Sequence, residues 1–270
     1  MAMKGRCVIC DSVGRLTRDH VPPQGVVPPR RIELRRIADV FGESGAETVR
    51  GGFQAAVFPS LCSKCNGKRL GERYDPTLAE FANKVAAQLH AIVDVGIHIP
   101  GDLNVTTQPA ALGRAVLGHL LAAEERPSPV EPLAHGTMID AVRAYFLDKT
   151  APWPPNLYLS CWPYLGEEQV IVRGSAIQGV IGRAYPLIVG DVLKFAPLAF
   201  WLTASDPRTT GHRFGLIPLG DVDTVEQVVK ISLPLRGRPP WFWPERPMNH
   251  EAIWCHDERC HFVRPESPGT

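Results

Sequence analysis

Two Cys-x2-Cys knuckles, Cys7-Val8-Ile9-Cys10 and Cys62-Ser63-Lys64-Cys65, constrain this chain more than any other feature. Together they supply four thiolates, the usual tetrahedral shell of a structural zinc; one knuckle alone would equally suit a buried or redox-active cysteine pair. The knuckles lie about fifty residues apart, so the ion would clamp together the two ends of the unit it encloses. A unit that small has a modest core and commonly needs such a staple. The opening residues, Met1-Ala2-Met3-Lys4-Gly5-Arg6, lack the apolar core of a signal peptide. Apolar runs are only a few residues long, as in Leu198-Ala199-Phe200-Trp201-Leu202, against the roughly 20 residues of a membrane span. A cytoplasmic location without membrane contact is therefore expected, and there paired cysteines are read as metal ligands before disulfides.

The whole chain carries 29 basic and 28 acidic side chains, a formal charge of +1, so any polyanion site must be a local patch. The charge is unevenly spread. Residues 1–75 hold 13 Lys and Arg against 8 Asp and Glu, a net of +5, whereas residues 76–270 hold 16 against 20, a net of −4. The run Arg30-Arg31-Ile32-Glu33-Leu34-Arg35-Arg36 sits at the centre of the basic part and suits either a phosphate-binding surface or a solvated basic loop. Hydrophobic residues at 44% and charged residues at 21% are enough to bury a core, in one large domain or two smaller ones.

The hydrophobic pattern predicts an α+β chain. Residues 13–22 and 47–58 read as strands separated by a long Arg- and Gly-containing loop, and Leu61 to Asn66 leads into a short helix. From Asp75-Pro76 onward Leu78, Phe81, Ala82, Val85, Leu89 and Ile92 recur at helical spacing, with Asp75 placed as N-cap and Pro76 in the first helical position. Further helices are expected at 109–125 and 137–148. Short β-like runs follow at 157–162, 169–173, 176–181, 185–193, 198–203, 214–219 and 227–234. The expected organisation is a zinc-containing unit at 1–75 and a helical, then β-rich region at 76–270.

Between the knuckles, Thr17-Arg18-Asp19-His20-Val21-Pro22 sets an acidic residue directly before a histidine, and Asn66 follows the last knuckle cysteine. This combination resembles the zinc-containing branch of the HNH endonucleases, which are built on a ββα-metal unit, over about residues 5–75. The resemblance implies His20 as general base, Asp19 and Asn66 as oxygen ligands of a catalytic Mg²⁺ or Mn²⁺, and Cys7, Cys10, Cys62 and Cys65 around the structural zinc. These residue types suit phosphodiester hydrolysis, which needs a base near neutral pH and a cation for the charge on the phosphoryl oxygens. Arg18, Lys68 and Arg69, with Arg30, Arg31, Arg35 and Arg36, are candidate phosphate contacts. DNA is the expected substrate, with RNA as the other nucleic acid, and a restriction or phage-defence role is implied by analogy alone. Family members usually place a bracing Asn about nine residues before the metal-binding Asn; here that position is Val57, with Gln54 and Ser60 as substitutes. The alternative reading is an idle zinc module that binds nucleic acid and carries a protein-interaction domain.

Other features point more weakly. Residues 76–270 lack a competing catalytic constellation and are expected to bind a protein partner or a second copy, or to regulate the nuclease. Cys255, His256, Cys260 and His261 admit a second metal or incidental loop cysteines, and Trp241-Phe242-Trp243 admits base stacking or packing over a β core. His90, His119 and His135 fall in or near helical patterns and read as surface or satisfied core residues.

Overall fold

A computed structural model describes residues 4–37, 48–95, 99–124, 136–179, 187–222, 224–246, 251–254 and 260–265. The chain is α+β, as its pattern predicts, and its described strands form three antiparallel sheets. Strands β1 (Lys4–Arg6), β2 (Val13–Val21) and β5 (Ala56–Cys62) form a small sheet in the order β1-β2-β5. Between β2 and β5 the chain builds a hairpin, β3 (Arg31–Arg36) and β4 (Thr48–Phe53), which leaves the small sheet. The basic run expected as a loop is thus strand β3, with Ile32 and Leu34 buried and Arg31 exposed.

After β5 the chain turns into α1 (Lys64–Tyr74), wound as a π-helix, which passes directly into α2 (Asp75–Val95). The expected N-cap at Asp75 is therefore corrected: Asp75 has α-helical dihedrals, and its N–H donates to the Leu70 carbonyl five residues back. The cause is Pro76. Proline lacks the N–H that a continuous α-helix would use and its ring crowds the carbonyl four residues earlier, which a wider winding before it relieves.

Helix α3 (Pro109–Ala122) is buried along its whole length. It packs against β2, β5, α1, α2 and α4 (Thr137–Leu147). A Cβ at Gly118 would overlap Leu70 of α1 and Phe146 of α4, so glycine sets how closely these helices approach. Arg114 of α3 finishes α4 by donating to the carbonyls of Tyr145 at 3.0 Å and Asp148 at 3.1 Å, with its guanidinium 3.7 Å above the Tyr145 ring.

The larger sheet draws on β7 (Tyr158–Pro163), β8 (Gln169–Gly179), β9 (Ile188–Phe195), β10 (Leu198–Thr203), β11 (Gly215–Leu216), β13 (Glu251–Trp254) and β14 (Cys260–Pro265). The order is β11-β7-β10-β9-β8-β14-β3-β4, with β13 also on β8. Gly174, at φ +67, breaks the register of β8, so that β14 pairs with one half and β13 with the other. Strand β10 is buried on both faces. Leu198, Phe200 and Leu202 enter the main core, while Ala199 and Trp201 enter a second cluster with Trp162 and Trp243. Each such side chain contributes roughly 1.5–3 kcal/mol when fully buried. A two-stranded sheet, β6 (Asp102–Thr107) with β12 (Val229–Pro234), covers the far side of α2.

The boundary expected at residue 75 has no counterpart in this path. The helix runs through it, and β3 pairs with β14 from Ile32 opposite Pro265 to Arg36 opposite His261. The main core contains residues from Cys7 to Val263. Among the described residues no helix is long and apolar enough to cross a membrane.

Candidate functional site

Cys7 and Cys10 lie on the turn between β1 and β2, Cys62 ends β5 and Cys65 stands in the first turn of α1. The turn is closed by the Cys7 N–H donating to the Ser12 carbonyl at 2.9 Å, and Val8 N–H ties it to Ser60 of β5 at 3.1 Å. The four Sγ atoms lie within 4.8 Å of one another, so the cluster could hold a metal ion. Cys10 and Cys62 Sγ are 3.7 Å apart, far beyond a disulfide bond. A zinc ion about 2.3 Å from each of four sulfurs requires sulfur–sulfur edges of roughly 3.8 Å, and the Cys10–Cys62 edge matches this. The crowded thiols share protons unequally. Hydrogen bonding from Cys65 holds the Cys10 thiol far below its ordinary range, while hydrogen bonding with Cys10 pushes Cys7 up to about 11 and Cys65 higher still.

The surroundings suit such a cluster. Arg69 Nη1 reaches Cys65 Sγ at 3.7 Å, and Arg143 of α4 donates through Nε to the Val8 carbonyl at 2.9 Å. Arg69, expected among the phosphate contacts, is thus turned onto the cysteine cluster.

Strands β2 and β5 pair with His20 opposite Val57, the position where the bracing Asn was expected. Arg18 and His20 line a cleft of about 270 Å³ whose other wall is the β3–β4 hairpin, with Ile32, Leu34 and Phe53. Burial lowers the imidazole pKa of His20 below its ordinary value; Asp19 opposes the shift, while Arg18 and His119 add to it. His20 is therefore neutral near pH 7, the form that accepts a proton. Asn66, on α1, donates through Nδ2 to Thr17 Oγ1 at 3.0 Å and to the Arg18 carbonyl at 3.1 Å. Among the described residues nothing donates to its Oδ1.

Of Gln54 and Ser60, only Gln54 reaches the chain that follows the His20 strand. Its Nε2 donates to the carbonyls of Gln24 at 2.5 Å and Val27 at 2.7 Å, and so fixes the short 3-10 turn that follows the His20 strand. Ser60 instead donates to the Ala122 carbonyl and joins β5 to α3.

Asp19 departs from the expectation of an open metal ligand. It is only 3% exposed, and its Oδ2 lies 3.2 Å from His119 Nδ1 of α3. His119 is fully buried, and its other nitrogen, Nε2, lies 2.9 Å from Asp75 Oδ1. Burial disfavours a charged His119, but the charges of Asp75 and Asp19 outweigh it and push its pKa up to about 10. Burial also raises the Asp19 pKa, against the pull of His119. The His119 and Asp75 roles escaped sequence reading. One signal was present: a histidine inside a helix with Leu112, Val116, Leu120 and Leu121 needs buried partners.

Of the remaining expected phosphate contacts, Lys68 and Arg31 are exposed. Arg35 is paired with Glu33 at 2.6 Å, and Arg30 donates to the Glu167 carbonyl. Arg36 is half-buried on β3. Cys255 and His256 lie outside the described residues. Cys260 and His261 are buried on β14, where His261 meets the Phe58 ring edge-on at 5.9 Å. No protein-family model, curated protein or solved structure matches the chain.

Proposed function

We propose that this chain is a metal-dependent endonuclease of the HNH type that hydrolyses phosphodiester bonds of DNA. The observation that carries the reading is His20 itself, a neutral imidazole beside the exposed Arg18 in a cleft, on a strand pair that continues through the cysteine cluster into the helix bearing Asn66. In this reading His20 takes the proton from the attacking water. Arg18 meets the scissile phosphate, Gln54 fixes the turn after the His20 strand, and zinc on the four cysteines holds the two knuckles together. A Mg²⁺ or Mn²⁺ ion held by Asn66 Oδ1 would stabilise charge on the phosphate oxygens.

The burial of Asp19 favours a second reading, in which the catalytic metal site is lost and the module only binds nucleic acid. A plasmid-nicking assay with added Mg²⁺ or Mn²⁺ separates the two. The nuclease reading expects cutting that falls at least about 100-fold in His20→Ala with DNA affinity nearly unchanged. No cutting by the wild type would leave the binding reading standing, and equal cutting by both proteins would overturn the role of His20.

A further inference from the structure

A second cleft, of about 740 Å³, opens on the large sheet between the turn after β7 and the segment 235–241. Its floor is Trp241, 47% exposed, and Leu165, 60% exposed, stands at its wall. An exposed tryptophan needs a reason here, because its neighbour Trp243 is fully buried against Trp162 and Trp201. The Trp241 backbone is held rigidly. Its carbonyl accepts from Lys194 Nζ at 2.6 Å, and the same ammonium is buried against Glu245 at 2.6 Å. Arg246 lies over one side of the indole, 5.5 Å from its centroid.

Arg238 lines the same cleft. It is half-buried, and among the described residues neither a carboxylate nor a carbonyl accepts from it. Burial alone lowers its pKa, with no opposing carboxylate. With no carboxylate of its own among the described residues and no nitrogen fully enclosed, this guanidinium can take an anion from solution. Of the two acidic residues at the cleft, Glu168 is already paired with Arg246 and Arg264. Glu167 is exposed at the rim, where its carbonyl accepts from Arg30, the residue preceding the hairpin that walls the His20 cleft.

The geometry points to a nucleotide-binding site in this cleft, with a base stacked on Trp241 and its phosphate on Arg238. A fixed aromatic face beside an unpaired cation is the combination that single strands use, since every base offers a π-face. The cleft is open rather than enclosed, which suits a strand passing through it, and Arg30 connects it toward His20. The site neither requires nor implies cleavage, so it can be tested apart from the nuclease reading.

The test uses full-length His20→Ala protein without added divalent ion, titrated with a short oligothymidylate, with thymidine 5′-monophosphate and with a proline-rich peptide. The heat of binding, followed by calorimetry, is the readout because it does not depend on the residue replaced. The oligonucleotide should bind, Trp241→Ala should weaken binding by about tenfold or more, and Trp241→Phe should restore most of the affinity. Arg238→Ala should lower the slope of log affinity against log salt by about 0.7, one phosphate contact on a single strand. Binding of the mononucleotide as tight as that of the oligomer would support the site with a free nucleotide as its source. Thermal melting of each variant confirms that it is folded. Binding of the peptide alone, no binding of either nucleotide ligand, or affinities unchanged in both Trp241→Ala and Arg238→Ala would overturn the proposal.

Discussion

His119 shows how a single residue can tie distant parts of the chain. Its two nitrogens hold Asp19 of β2 and Asp75 of α2, so one imidazole on α3 fixes both the strand that carries His20 and the seam where the helix changes winding. Removing it would leave two carboxylates facing a cavity, one of them fully buried, at a cost of about 3–5 kcal/mol. The pH dependence follows from the sign of its shift. The folded pKa, about 10, lies above the ordinary 6.5, so the stabilisation is complete below about pH 6.5 and is lost as pH rises through about 10. Urea unfolding of the wild type should therefore show stability falling across that window, and His119→Gln should be less stable at pH 6 with a flatter profile. A variant as stable as the wild type at every pH would mean that the Asp19–His119–Asp75 contact contributes nothing.

Among the elements, the junction of β5 with α1 concentrates both the cysteine cluster and the Asn66 contacts within a few residues. Cys62 and Cys65 lie on either side of it, and the β1–β2 turn meets them through Cys7 and Cys10. Structural zinc in such shells contributes folding free energy directly. Purified protein should hold about one zinc per chain, and Cys62→Ser should lose most of it and melt at a lower temperature. Cys161, buried alone on β7, provides the control: Cys161→Ser should keep the zinc and lose only packing. Full zinc retention by Cys62→Ser would exclude it from the shell.

At the scale of the whole molecule, contacts cross residue 75 in several places. Hairpin β3–β4 is an edge of the large sheet, Ser60 bonds to Ala122, Arg143 to Val8, and His119 to Asp19. A fragment of residues 1–75 would expose β3 without its β14 partner and would lose the α3 face that covers Asp19 and Leu70. We expect this fragment to remain unfolded even with zinc, by circular dichroism and amide dispersion, while the full chain unfolds in one cooperative transition. A folded, zinc-bound fragment would restore the two-domain description.

Local pattern was enough for the cysteine spacing, for helices α2, α3 and α4, and for the uninterrupted apolar run of β10. Spacing of 3.6 or 2 residues is written into adjacent positions and survives any tertiary arrangement. Asp75-Pro76 misled because the same pair that starts a helix also suits a change of winding within one, and only the packed α1 decides between them. The partners of Arg69, Gln54 and Asp19 were likewise illegible. Asp19 meets a histidine 100 residues away, and Trp241 stays exposed beside a buried Trp243 with the same neighbours in sequence. Which side chains meet across such distances depends on how the sheets and helices pack. The sequence by itself determined the α+β class and the four-cysteine spacing that could hold a metal ion; the tertiary structure decided that Asp19 is buried, that Gln54 rather than Ser60 ties down the turn after β2 and that Trp241 lines a cleft.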